Sequence, residues 1–142
     1  MKEEDKDDVF SLMQECLEEE YNAYDYKENI KAIINYYYNR KDSKIICLFK
    51  KNDELIGFMW TIETDDIITG EKFCFGLYLA VKKEFRGKNY SKLIYEETLK
   101  FCKENNYKKF KFTVRKNNDI ALNLHYDMGA KIDKYEMSID ID

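Results

Sequence analysis

At 142 residues the chain is sized for one domain, and size scaling assigns a 17.2 kDa protein about 7,800 Å² of folded surface, enough to enclose a core without disulfide staples. A content of 44% hydrophobic and 15% aromatic residues excludes a disordered or collagen-like chain. With 24 basic against 28 acidic residues the formal charge is −4, which argues against whole-molecule attraction to nucleic acid or anionic lipid. No apolar run approaches the roughly 20 residues that cross a bilayer, and the start MKEEDKDDVF is too charged for a signal peptide, so a cytoplasmic protein is expected, with no membrane partner. Cys16, Cys47, Cys74 and Cys102 form no CxxC pair and each sits in an apolar segment, which reads as buried thiols with no metal site.

Two hydrophobic periods alternate along the chain. Phe10, Met13, Leu17 and Tyr21, then Ile30, Ile33, Ile34 and Tyr37, recur at helical spacing and predict two amphipathic helices in the first 40 residues, both covering a sheet. Ile45 to Phe49 and Leu55 to Ile62 read as an antiparallel hairpin across the turn Lys51-Asn52-Asp53. Lys72 to Val81 reads as a third, central strand, because its nearly continuous apolar run suits burial on both faces. From Tyr90 the period is helical again and ends near Asn105-Asn106. Phe110, Phe112 and Val114 alternate with Lys109, Lys111 and Thr113 as a half-exposed strand. Asn118 or Asp119 then caps a short helix to Met128, stopped by Gly129. Tyr135, Met137, Ile139 and Ile141 alternate with polar residues and predict a last strand, giving the order ααβββαβαβ.

Chemistry concentrates in LYLAVKKEFRGKNYS, Leu77 to Ser91, where a buried strand gives way to a charged loop and then directly to a helix. The first turn of a helix leaves backbone N–H groups unpaired and its dipole favours negative charge, so a phosphate can bind there without special side chains. Gly87 allows close approach, and Arg86 and Lys88, with Lys82, Lys83 and Lys92 nearby, supply positive charge in an acidic chain of only three arginines. A pyrophosphate suits such a site. A basic loop before a helix is, on its own, more often a solvated connection.

The segment VKKEFRGKNYSKLI, Val81 to Ile94, resembles the acetyl-CoA-binding motif of the GNAT N-acetyltransferase superfamily, V-x-P-x-x-R/Q-G-x-G-x-G/A before a helix. Val81, Arg86 and Gly87 match, while Asn89 and Ser91 stand where the family has glycine or another small residue. Asn tolerates left-handed backbone angles better than other non-glycine residues, so the loop shape can survive. A second segment, NDIALNLHYDMGA from Asn118 to Ala130, resembles the family's N-x-x-A-x-x-x-Y-x-x-x-G-F, with Asn118, Ala121 and Gly129 in register. The family's tyrosine, which often protonates the departing thiolate, aligns with His125, and Tyr126 lies one residue later. His125 shares a helix face with Ala121, Leu124 and Met128, which makes it the better candidate acid and Tyr126 the reserve. Packing in the core is the plain alternative for both.

The resemblance implies an α/β fold with a mixed, mostly antiparallel sheet flanked by helices, and a single acetyltransferase domain over residues 1–142. It implies acetyl-CoA as cofactor, held by Leu79, Ala80, Val81, Arg86, Gly87, Lys88, Asn89, Tyr90, Ser91 and Asn118. Backbone N–H groups of the loop would take the pyrophosphate, and the strand near Leu79 to Val81 the pantetheine arm and thioester carbonyl. The reaction implied is direct attack by a primary amine of a small molecule or peptide in a ternary complex. Glu63, Asp65, Asp66 and Glu71 are carboxylates expected near the mouth of the site, and the acidic run Glu15, Glu18, Glu19, Glu20 and Asp25 would suit a cationic acceptor or simply form a solvated face. Two other readings compete: a regulatory module that binds acyl-CoA without catalysis, and a nucleic-acid surface on KKFKFTVRK, Lys108 to Lys116, whose alternation turns the aromatics inward and counts against it. Monomer and homodimer are equally compatible with the sequence.

Overall fold

Val9, Leu12 and Cys16 lie three and four residues apart, so successive turns aim apolar side chains one way, and helix α1 forms over Lys6–Tyr21. All three are buried, with Phe10 and Met13 packed beside them. Helix α2 (Lys27–Tyr38) presses Ile34 and Tyr37 onto the same cluster, whereas Ile33, expected on the buried stripe, is 53% exposed. The computed structural model describes residues 5–21, 27–50 and 52–141, without the side chains of residues 21, 27 and 30. The expected stripe positions Tyr21 and Ile30, the turn residue Lys51 and the acidic Asp25 therefore lie outside the described side chains and residues.

Four strands, β1 (Ser43–Phe49), β2 (Leu55–Asp65), β3 (Lys72–Val81) and β4 (Phe110–Phe112), make one sheet in the order β1-β2-β3-β4. The first two pairings are antiparallel and the third is parallel. A parallel pair needs a crossover, and helix α3 (Tyr90–Glu104) supplies it between β3 and β4, followed by helix α4 (Asp119–Asp127). The result is the α/β fold with a mostly antiparallel sheet that the resemblance implies.

The sheet separates two apolar clusters. One joins α1 and α2 to Leu55, Phe58, Trp60 and Ala80; the other joins α3 to Ile56, Met59, Val81 and Phe85. Alternation along β2 feeds both, and residues 55–61 are all buried, so β2 and not β3 is the strand covered on both faces. In β3 only Cys74, Gly76, Ala80 and Val81 are buried, because its last five residues lack a neighbour on the β4 side.

The last expected strand, Tyr135 to Ile141, is not formed. Residues 131–141 carry neither helix nor strand and all are exposed, with Met137 at 90%. Alternation supplies a strand with two faces but not with a partner, and β4 ends at Phe112, short of Val114, leaving little edge to pair with. The accessible surface of 10619 Å² exceeds the scaling value of about 7,800 Å² partly because this segment stands off the core. Cys16, Cys74 and Cys102 are buried free thiols and Cys47 is half-buried. Among the described residues, no helix is long and apolar enough to cross a membrane, and no group of three or more His, Cys, Asp or Glu could hold a metal ion.

Candidate functional site

β3 and β4 part company early. Cys74, Phe75 and Gly76 pair with Phe110, Lys111 and Phe112, and there the ladder stops, although β3 continues against β2 through Tyr78, Leu79, Ala80 and Val81 to Gly57. The stretch Leu77–Val81 therefore has no β4 partner on that side, an edge along which an extended ligand can pair, ending at the Val81 carbonyl, which accepts from Arg86 Nε at 3.0 Å. A bulge marks the parting point: Thr61 opposes Gly76 and Trp60 opposes Tyr78, leaving Leu77 as the extra residue. Alternation breaks with it, so Leu77 and Tyr78 both pack toward α1 and α2, while Leu79 and Val81 face α3. Gly76 sets the vertex, since a Cβ there would lie 2.9 Å from Cζ of Phe110.

Past Val81 the chain makes a short 3-10 turn, Lys83–Phe85, whose Phe85 is buried, and a turn over residues 86–89 delivers it to α3. Gly87 has φ 73° and Asn89 φ 62°, so the asparagine adopts the left-handed angle that the motif usually gives to glycine. Its side chain makes no capping bond, which leaves the first-turn N–H groups of α3, Tyr90 and Ser91 among them, uncovered by it. A Cβ at Gly87 would meet nothing within 4 Å, so the loop is open to approach from outside. Tyr90 lays its ring edge-on against Phe85 at 5.8 Å and fixes the start of the helix. Two of the basic side chains are engaged within the protein: Lys88 Nζ donates to the Glu84 carbonyl at 3.0 Å, and Arg86 Nη1 donates to Glu19 Oε2 at 2.6 Å.

Helix α4 brings the third part. Asn118 Oδ1 accepts from the Ala121 N–H at 3.1 Å, so the matched asparagine serves as the N-cap of this helix. The His125 ring centroid lies 4.1 Å from that of Phe112 and 5.6 Å from that of Tyr95. Because Phe112 pairs with Gly76 at the end of the ladder, His125 sits at the vertex between β3 and β4. Its Nδ1 is buried with no hydrogen-bond partner among the described residues, and burial lowers its pKa, so the imidazole is neutral at pH 7. Tyr126 is half exposed.

The carboxylates expected at the mouth lie elsewhere. Glu63 and Asp65 pair with Cys74 and Lys72 in the β2–β3 ladder, on the closed side of the vertex, and Asp66 and Glu71 belong to the hairpin loop beyond them. Glu63 is also occupied: it accepts from Lys72 Nζ and Tyr107 Oη, both at 2.6 Å, and these bonds hold its carboxyl below the usual range. Asp66 Oδ1 accepts from the N–H groups of Ile68 and Thr69 at 3.0 Å. Two contacts invisible in the sequence replace them beside the open edge: Tyr78 Oη donates to Glu20 Oε1 at 3.3 Å, and Glu19 holds Arg86. Both join residues dozens of positions apart, so no local pattern announces them. In the basic stretch, Phe110 and Phe112 pack edge-on against Tyr95 of α3, at 5.6 and 5.8 Å, and are not presented for base stacking.

The fold has counterparts among known proteins. The model of the acetyltransferase (GNAT) family matches residues 6–130, and the chain belongs to this family. No curated protein sequence matches it. Among solved structures, a protein from Pyrococcus furiosus superposes with a TM-score of 0.87 at 20% identity, covering 98% of this chain and 95% of its own. A transcriptional regulator from Bacillus halodurans C-125 gives 0.79 at 14% identity, over 99% of this chain and 96% of its own. The ribosomal-protein-alanine N-acetyltransferase of Brucella melitensis biovar Abortus 2308 gives 0.72 at 13% identity, over 97% and 94%. At such identities the shared property is the fold, and the names attached to it span an enzyme and a regulator.

Proposed function

We propose that the protein is an N-acetyltransferase that passes the acetyl group of acetyl-CoA to a primary amine of a small molecule or peptide by direct attack in a ternary complex. Membership of the acetyltransferase family supports the reaction class. The single observation that carries the cofactor is the edge of β3 that β4 leaves after Gly76, followed through the turn over residues 86–89 by an α3 N-terminus without a side-chain cap. The residues fit the group. Leu79, Ala80 and Val81 would hold an extended pantetheine arm through their backbone, and the N–H groups of residues 87–91 would hold the pyrophosphate through hydrogen bonds and the helix dipole. Acetyl-CoA supplies an activated thioester, so the protein needs only to position the amine, exclude competing water and manage protons. A neutral imidazole has no proton acidic enough for a departing thiolate, so we place the proton donor on Tyr126, with His125 shaping the vertex.

One observation favours a second reading. The Nδ1 of His125 is without a partner among the described residues, and Glu63, expected near the mouth, is tied up on the closed side, which suits a module that binds acyl-CoA for regulation. Isothermal titration with acetyl-CoA and CoA, with adenosine diphosphate as control, comes first. Micromolar affinity that depends on the pantetheine arm supports the site, and thiol release with an amine panel then separates enzyme from module. Affinity no better than that of adenosine diphosphate rejects both. Gly87→Glu is expected to abolish binding, because its side chain enters open space in front of the loop, and to cost about 1–2 kcal/mol of stability for the left-handed angle at φ 73°.

A further inference from the structure

We propose that Arg86 is a positioning residue, a clasp that fixes the end of α1 against the cofactor loop, and not a ligand of phosphate. This rests on the acetyl-CoA reading above. By charge and place alone, an arginine in a basic loop ahead of a helix N-terminus is assigned to the anion. The geometry assigns it otherwise. All three guanidinium nitrogens are engaged inside the protein: Nε donates to the Val81 carbonyl at 3.0 Å, Nη1 to Glu19 Oε2 at 2.6 Å, and Nη2 to Cys16 Sγ at 3.5 Å. The side chain thus runs back from the loop and ties together three elements: the end of β3, helix α1 and the turn over residues 86–89.

Glu19 neutralises the guanidinium, so a phosphate would have to displace a carboxylate already in contact, and the pair is only about two-fifths exposed. The groups left to meet an anion are the N–H groups behind Gly87 and Asn89, whose left-handed angles shape the turn, with Lys82, Lys83 and Lys92 as the neighbouring cations. The clasp also sets the opposite wall. Glu20, the next residue of α1, accepts from Tyr78 on the open segment of β3, so the end of α1 and the cofactor loop are held as one unit. Breaking the ion pair should therefore loosen the loop even though no phosphate contact is removed.

The two roles predict opposite signs for one substitution. Glu19→Gln, Arg86→Gln, Arg86→Lys and the Glu19→Gln/Arg86→Gln double variant are titrated with acetyl-CoA at two salt concentrations. Alkylation of Cys16 by iodoacetamide is followed without ligand across a pH series by peptide mass mapping and compared as the rate constant of the thiolate, because loss of Arg86 raises and loss of Glu19 lowers the Cys16 pKa. For a clasp, Glu19→Gln and Arg86→Gln each weaken acetyl-CoA binding by about two- to fivefold, the size of a partly exposed ion pair, and the double variant is no weaker than the worse single one. The salt dependence stays as in the wild type, and Cys16 is alkylated faster in both single variants. For a phosphate ligand, Glu19→Gln tightens binding by releasing Arg86, and Arg86→Gln flattens the salt dependence; that result overturns the proposal. If Arg86→Gln does not fold, Arg86→Lys and Glu19→Gln decide the sign. If the wild type binds no acetyl-CoA, the functional reading falls separately, and unchanged Cys16 alkylation in the Glu19 and Arg86 variants overturns the clasp by itself.

Discussion

His125 shows how far a motif match and a physical environment can diverge. It aligns with the position of a catalytic acid, yet it lies against Phe112 and Tyr95 with Nδ1 buried and its pKa lowered by desolvation. The sign for stability follows. Above about pH 6.5, the ordinary histidine value, both folded and unfolded chains carry a neutral ring and pH has no effect through it. As pH falls below that value the unfolded chain takes up the proton first, and stability drops. Urea midpoints at pH 7.5 and 5.5 should therefore fall further for the wild type than for His125→Phe. In the acetyl-transfer assay at pH 7.5, Tyr126→Phe is expected to lose about a hundredfold or more in kcat, the lower range of general acid catalysis, and His125→Phe much less. The reverse pattern moves the acid to His125. Asn89 was legible at this scale, since its tolerance of φ 62° follows from its short polar side chain, whereas the engagement of Arg86 with Glu19 was not.

At the scale of elements, the site depends on where pairing stops. Gly76 and Phe112 form the last rung of the β3–β4 ladder, and a methyl group on Gly76 would meet Phe110 Cζ at 2.9 Å. Gly76→Ala should cost about 1–3 kcal/mol by overpacking in urea denaturation, and it should weaken acetyl-CoA binding because the vertex shifts with β4. Helix α4 hangs on its cap: Asn118→Ala should destabilise the protein by about 1 kcal/mol through loss of the bond to the Ala121 N–H. Cofactor affinity then separates the cap from a direct contact, since a cap alone leaves it nearly unchanged in isothermal titration. The helices and the three long strands were readable from periodicity, because each is a local pattern of apolar side chains. The bulge at Leu77 and the short ladder to β4 were not, because nothing in a run as uniformly apolar as FCFGLYLAV marks which rung is the last.

For the molecule as a whole, the core ends before the chain does. Tyr135, Met137, Ile139 and Ile141 are all more than four-fifths exposed, so they add apolar surface and no buried contacts. Removing residues 135–142 should change unfolding free energy by less than about 0.5 kcal/mol and raise solubility, as checked by urea titration and light scattering. A loss of several kcal/mol would mean that the segment is docked as the strand its alternation suggests.

Composition, charge and two motifs were enough to point to an α/β fold in which a charged loop leads from a strand into a helix, because residue type and local spacing decide helices, strands and turns. What only the tertiary structure decided lies between elements: that β4 leaves β3 after Gly76, that Glu19 claims Arg86 and Glu20 claims Tyr78, and that the Nδ1 of His125 is buried. Each joins residues far apart in the chain, and a sequence records the residue types available for such contacts but not the distances that select among them.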